Sequence, residues 1–182
     1  MIITITGLPG SGKTTVVKQL SQILGVPWYS VGNLRGKMAE ERGMTIDEFN
    51  ALGETEAFTD KEVDDYQAKL GASAESFVID GRLSWHFIPN SFKVFLDVDP
   101  DIGAQRIYSA SQKGERDDEK AYTSVDEVKH HIHERVASDV RRYKKYYGID
   151  FLDKSNYDLV LDTTNLTIEE KARIILSKMP QS

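Results

Sequence analysis

The chain has 182 residues, with 40% hydrophobic and 29% charged side chains, which fits one compact domain in the range of ordinary globular proteins. It has no cysteine, so disulfides, thiolate nucleophiles and thiolate metal sites are excluded. Its formal net charge of −6 argues against general nucleic-acid binding. No apolar run approaches the roughly 18 residues of a membrane span. No basic leader precedes the first apolar run, so a cytoplasmic location is expected. No membrane or nucleic-acid partner is expected, and the chain is expected to be a monomer.

Residues 2–6 are apolar and β-branched, which predicts a buried strand. A helix is expected over 13–24, stopped by Gly25, followed by a short strand over 28–31. Helices follow over 33–42, 46–52 and 60–70, and the patterns Thr45-x-x-Glu48 and Thr59-x-x-Glu62 predict capping boxes at the last two. Strands are expected over 77–80 and 92–98, then a helix over 100–110 and a polar stretch over 111–123. Ser124-x-x-Glu127 opens a long helix with Val125, Val128, Ile132, Val136, Val140, Tyr143 and Tyr147 as its apolar stripe. A fifth strand over 157–162 and a helix capped by Thr167 and Glu170 close the chain. Strands alternating with helices imply a parallel sheet covered on both faces. The expected fold is α/β, a P-loop NTPase with three α/β/α layers, a five-stranded parallel sheet, a helical insertion and a short lid.

Gly7-Leu8-Pro9-Gly10-Ser11-Gly12-Lys13-Thr14 satisfies G-x-x-x-x-G-K-S/T at every fixed position, between a strand and a helix. Glycines permit the backbone angles that aim successive amides into one anion-binding hollow, and the following helix N-terminus adds partial positive charge. Lys13 suits the β- and γ-phosphates, and the Thr14 hydroxyl suits Mg²⁺. A nucleoside triphosphate is therefore expected here.

Ser30 to Arg35 and Asp80-Gly81-Arg82 fall at the carboxyl ends of the second and third strands, which border the ligand crevice of an open α/β sheet. Two arginines from separate strand ends suit a second phosphate, because guanidinium forks hold phosphate oxygens bidentately. Asp80 is expected near the Mg²⁺ position. Arg135 and Arg142, seven residues apart, share a helix face at about 10 Å along the axis. With Arg106 across the polar loop they suit a flap closing over a triphosphate. Three features are read as ordinary structure. His130, His131 and His133 have no completing ligand pattern and read as a solvated helix face. Asp99 before Pro100 reads as a strand-to-helix turn, with Asp97 left open. Tyr143, Tyr146 and Tyr147 read as packing residues.

Together these motifs resemble the nucleoside monophosphate kinases, most closely the short, archaeal-type cytidylate kinases. "MIITITGLPGSGKTT" resembles that family's opening, "YSVGNLRGKMAEERGMTIDEFN" its monophosphate-binding segment and "VIDGRLSW" its glycine–arginine motif. "RVASDVRRYKKYYGID" resembles the lid-side helix and "YDLVLDTTNLTIEE" the final strand–loop–helix. The resemblance implies a single kinase domain over 1–182, with a monophosphate-binding insertion at about 32–71 and a lid at about 110–123. It implies transfer from ATP, with Mg²⁺, to CMP and dCMP. Lys13 would steady the transferring group, with residues Gly7 to Thr15, Arg106 and the Thr163–Thr164–Asn165 loop around ATP. Thr14 would hold Mg²⁺ and Asp80 would act through metal-bound water. Ser30, Arg35, Gly81 and Arg82 would hold the monophosphate, and Arg106, Arg135 and Arg142 would neutralise phosphate charge from the lid side. The chain departs from the family at Ser84-Trp85-His86, which would shift bulk toward the acceptor. It also departs at a missing lid arginine, for which Lys113 or Arg116 could substitute. The other readings weighed are a kinase for AMP, UMP or a small metabolite such as shikimate or gluconate. From a different class comes a P-loop ATPase switch, such as an adenylate-kinase-like ribosome assembly factor.

Overall fold

The structure is a computed structural model and describes residues 1–56, 58–73, 75–113 and 122–180. Strands β1 (Ile2–Gly7), β2 (Trp28–Ser30), β3 (Phe77–Asp80), β4 (Phe92–Asp97) and β5 (Leu159–Asp162) form one parallel sheet in the order β2-β3-β1-β4-β5. Strand β1 takes the centre of the sheet. Ile3 and Ile5 are fully buried, and so are Thr4 and Thr6, whose hydroxyls bond to Ser91 Oγ at 2.9 Å and Gly81 O at 2.8 Å. Those bonds remove the penalty of burying an unpaired hydroxyl.

Helices cover both faces. On one, Ile3, Ile5, Val78, Val94 and Leu96 pack against Val16, Val17 and Leu20 of α1 (Lys13–Leu24). Ala172 and Ile175 of α8 (Ile168–Lys178) complete that layer. The other face carries α5 (Ser84–Phe87) and the long α7 (Val125–Tyr147), which follows α6 (Pro100–Gln112). Here Trp85, Phe95 and Tyr157 form one aromatic cluster, and Leu83, Tyr143 and Phe151 a second. Between β2 and β3, helices α2 (Val31–Glu40), α3 (Ile46–Gly53) and α4 (Phe58–Gly71) enclose their own small core of Met38, Ala39, Phe49 and Val63.

Thr45 and Thr167 form both halves of their capping boxes. Ser124 accepts from Glu127 N at 3.1 Å, while the Glu127 carboxylate bonds to Thr123 instead of to Ser124. The Thr59 box does not form. Because α4 begins at Phe58, Thr59 lies inside the helix and its hydroxyl donates to Glu56 O at 3.1 Å. Ser30 caps α2 by accepting from Asn33 N at 3.3 Å, so that helix starts at Val31 and β2 ends before it. Helix α5 and a 3-10 turn over Lys154–Asn156 fall where no helix was expected, and α6 runs two residues further than its pattern.

One face of α4 is polar and turned inward. Asp60 meets Arg35 at 2.7 Å, Asp64 accepts from the Tyr147 hydroxyl, and Gln67 Oε1 accepts from Ser84 Oγ at 2.6 Å. Burial pushes the Asp64 pKa up to about 7, opposed by the Tyr147 hydroxyl and reinforced by the charge of Asp60. A folded value above the unfolded value of about 3.9 means that the folded state holds this proton more tightly. The resulting stability is complete below about pH 4 and is lost as pH rises through 7. Asp64→Asn keeps an oxygen acceptor for Tyr147 and removes the titration. Urea unfolding should therefore show the wild-type midpoint falling relative to the variant between pH 4.5 and 8.

Candidate active site

The sheet register brings the chemistry together. Ile5 pairs with Asp80, Ser30 with Asp80 and Gly7 with Leu96, so the carboxyl ends of β1, β2, β3 and β4 open at one edge. At that edge lies a cavity of about 850 Å³. The loop between β1 and α1 forms its floor. Gly7 (φ 150°) and Gly10 (φ 78°) need glycine both for their angles and for space. A Cβ on Gly7 would stand 2.2 Å from Leu96 O, and one on Gly10 would stand 2.3 Å from Gly103 O. Gly103, buried in α6, is similarly tight, since a Cβ there would stand 2.9 Å from Pro9 O. The loop is thus clamped between β4 and α6.

Lys13 Nζ donates to Gly7 O at 2.9 Å and to Leu8 O at 2.8 Å. Thr14 Oγ1 donates to Asp80 Oδ2 at 2.8 Å, linking the start of α1 to the end of β3. Burial raises the Asp80 pKa, while bonds from Ser30 and Thr14 and the charges of Lys13 and Lys18 pull it down. Two hard oxygen donors, one of them a buried carboxylate, fit Mg²⁺, which takes one or two protein oxygens and completes its shell with phosphate and water. Ser11 is buried and Thr15 exposed on either side of this pair.

Arg106 reaches across from α6. Its guanidinium donates to Gly10 O at 3.3 Å, Thr163 O at 3.0 Å and Thr164 O at 2.8 Å, joining the glycine-rich loop to the β5–α8 turn. Opposite stands a cluster of three arginines and two aspartates. Arg82 donates to Asp139 and, at 3.2 Å, to Gly7 O. Arg142 Nη2 donates to the other oxygen of Asp139 at 2.7 Å, and Arg142 Nε lies 3.7 Å from Asp60 Oδ2. Arg35 donates to Asp60 Oδ1, to Thr59 O at 3.1 Å and to Asn50 Oδ1 at 3.2 Å. Its Nη2, like Arg142 Nε and Asp60 Oδ2, is buried without a hydrogen bond. Burial and then the charge of Arg142 lower the Arg35 pKa. Burial pushes the Asp139 pKa up, but Arg82, Arg142 and Arg135 outweigh it and hold the carboxyl below its usual range.

The cavity wall therefore brings together Lys13, Thr14, Ser30, Arg35, Asp80, Gly81, Arg82, Arg106, Arg135 and Arg142 from seven chain segments. Arg142 differs from expectation in setting. It is 1% exposed and packs beside Asn50, Asp60 and Asp139. Trp85 also differs. It is turned into the core against Phe95 and Tyr157, and its indole donates to Arg82 O at 3.1 Å, so its bulk lies off the cavity. Thr164 bonds through Oγ1 to Asp99 N at 2.9 Å, and only its carbonyl faces Arg106. Asp99 caps α6 by accepting from Asp101 N and Ile102 N, as its turn reading predicts. Asp97 pairs with Lys154, away from the cavity.

His130 and His133 are exposed, but His131 is half-buried on the cavity wall, its ring 5.6 Å from that of Tyr122. Among the described residues no group of three His, Cys, Asp or Glu could hold a metal, and no helix is long and apolar enough to cross a membrane. Tyr143 packs on Phe151, Tyr146 OH donates to Gly53 O at 3.0 Å, and Tyr147 binds Asp64. Lys113 is exposed, while Arg116 and most of the expected lid lie outside the described residues. Sequence reasoning missed Asp139, Asp60, Gly103 and Lys171. Asp139 carried one signal, as the single acid in the otherwise basic run from Arg135 to Lys145.

Residues 2–165 match the cytidylate kinase-like family. The chain is 37% identical over 179 residues to a cytidylate kinase of Methanobrevibacter smithii, covering 98% of each. It is also 36% identical over 181 residues to an S-adenosylmethionine-dependent nucleotide dehydratase of Lacinutrix mariniflava, spanning 99% of this chain and 36% of that protein. Among solved structures, a shikimate kinase from Bacteroides thetaiotaomicron superposes with a TM-score of 0.62 at 18% identity, covering 97% of this chain and 96% of that one, a likeness of fold. With the family match running through the glycine-rich loop, Asp80 to Arg82 and the whole of α7, the chain belongs to the cytidylate kinase-like family.

Proposed function

We propose that the protein is a cytidylate kinase that passes the γ-phosphoryl group of ATP to the phosphate of CMP, and of dCMP, giving the diphosphate. The observation that carries this reading is the pairing of two cationic sites across one cavity. The glycine-rich loop with Lys13 and Arg106 lies on one side, Arg35, Arg82 and Arg142 on the other, and the Thr14–Asp80 pair at the floor. A sugar-acid acceptor carries a single carboxylate charge that one arginine can pair, whereas an acceptor phosphate suits the several arginines gathered on that side.

In this reading residues 32–71 hold the monophosphate and residues 110–123 supply the lid. The loop amides, with Thr15, Arg106 and the turn at Thr164, hold ATP. Thr14 would ligate Mg²⁺ and Asp80 would orient its waters. Bound there, the ion would neutralise charge on the phosphates. An oxygen of the CMP phosphate attacks the γ-phosphorus in line as the bond to the β–γ bridging oxygen breaks, and that oxygen leaves on ADP. The attacking oxygen is already anionic near neutral pH, so no side chain need remove a proton. The protein's part is to align the groups and stabilise charge, which Lys13 does from the glycine-rich loop and Arg135 and Arg142 from α7. Arg82 and Arg35 anchor the acceptor phosphate, with Ser30 and Gly81 beside them, and Arg35 Nη2 supplies a donor not committed to the protein.

Assays with ATP and CMP, dCMP, UMP, AMP and GMP should give highest turnover with CMP and dCMP. ATP hydrolysis indifferent to all five would defeat the reading. Arg82→Ala should raise the CMP KM about tenfold to a hundredfold and leave that of ATP nearly unchanged. Asp139→Asn removes the counter-charge of Arg82 and the nearer of the two carboxylates beside the buried Arg142, and should lower unfolding stability by about 3 kcal/mol near pH 7. Because the folded pKa of Asp139 is depressed, its contribution is present above the unfolded value of about 4 and lost as pH falls through the folded value. Acid titration of stability should therefore be shallower in the variant.

A further inference from the structure

Lys171, in the first turns of α8, is 4% exposed. A buried lysine is uncommon unless an acid pairs with it. Among the described residues Lys171 has no acidic partner, and neither has Arg106, whose charge acts on it. Its ammonium makes one hydrogen bond, to Ser11 O at 3.2 Å, and could make three. It sits against the start of α1, where a Cβ on Gly12 would be 3.3 Å from Nζ. The N-termini of α1 and α8 both carry partial positive charge, which disfavours a cation at either. Burial, and then the charge of Arg106, lower its hold on the proton. A neutral donor would satisfy Ser11 O equally well, so the charge works against the ligand-free protein. Lys171 nevertheless lies on the cavity wall with Gly10, Gly12 and Arg106. Lys13 grips the loop at Gly7 and Leu8 and Lys171 grips it at Ser11, so two ammonium groups flank the phosphate hollow.

We propose that Lys171 is a second donor-site lysine, whose unbalanced charge is neutralised by the phosphate chain of the bound nucleoside triphosphate or diphosphate. This rests on reading the glycine-rich loop as the donor site. The charge is unfavourable without the ligand and favourable with it, so the residue adds differential affinity for polyphosphates over neutral ligands. A residue kept only to brace the loop would have the opposite signature, since removing it would weaken the empty protein.

The test uses the full chain, with ADP and inorganic tripolyphosphate as probes in calorimetric titrations, and thermal unfolding of the ligand-free protein. Lys171→Met removes bond and charge, while Lys171→Gln keeps a donor for Ser11 O and removes only the charge. Both should weaken ADP and tripolyphosphate about tenfold or more, leave CMP affinity unchanged, and leave the ligand-free Tm equal to or above that of the wild type. Wild-type affinity in Lys171→Gln overturns the proposal, as does a lowered Tm in Lys171→Met that Lys171→Gln restores. Lys13→Met separates the two readings. If it weakens ADP while the Lys171 variants do not, only the role of Lys171 falls. If it leaves ADP binding unchanged, the donor-site reading falls and this proposal with it.

Discussion

The carboxylate of Asp139 is the contact on which the acceptor side depends. One oxygen holds Arg82, which leaves the sheet at the end of β3, and the other holds Arg142, one turn along α7. Arg142 stands in turn beside Asp60 of α4, and Asp60 holds Arg35 of α2. Three guanidinium groups are thus kept close together at the base of a cavity, where their mutual repulsion is severe at low effective dielectric. Two buried carboxylates make that crowding tolerable. Such a network adds little net stability compared with an apolar core of equal volume, because every ion in it has been desolvated. What it adds is position: arginines from three separate elements are fixed without spending all their donors on the protein.

The donor side is built on a different principle, close backbone approach. Gly7 lies on Leu96 O and Gly10 on the backbone of Gly103, so the loop is fixed by contacts that admit no side chain at those points. Its shape is therefore set before any ligand arrives, and its amides need little reorganisation on binding. Preformed amides on one side and charge-compensated arginines on the other are complementary solutions to the same problem, holding concentrated positive potential in a folded protein.

The glycine-rich loop was legible in the sequence because its signal is local: eight consecutive residues carry geometry, anion site and helix start together. The five strands, and the cluster at Asp80-Gly81-Arg82, were legible for the same reason. Thr59 was misread because a capping pattern fixes chemistry but not where tertiary packing starts the helix, here two residues earlier at Phe58. Trp85 was misplaced because the four-residue helix α5, too short to show periodicity, turns it into the core. Asp60, Gly103 and Lys171 carry no local signal, and Asp139 carries only its place as the one acid in a basic run. Each matters through a residue 25 to 160 positions away, such as Asp60 with Arg35 or Lys171 with Ser11, and only the closed sheet brings those pairs together.

The three helices between β2 and β3 keep their apolar and polar contacts apart. Their inner core, Met38, Ala39, Phe49 and Val63, is apolar and self-contained. Their contacts to α7 are largely polar: Arg35 with Asp60 inside the group, then Arg142 with Asn50 O, Tyr146 with Gly53 O, Lys145 with Glu54 O and Asp64 with Tyr147 across it. Sliding apolar surfaces apart exposes hydrocarbon to water at about 25 cal/mol per Å². Exchanging one charge-assisted hydrogen bond for another, to water or to a phosphate, has a small net energy by comparison. The seam between α3–α4 and α7 is thus joined by hydrogen bonds and ion pairs, with an apolar core closed on either side of it. It meets the cavity at Arg35 and Arg142, so the network that fixes those two arginines also joins the three helices to α7.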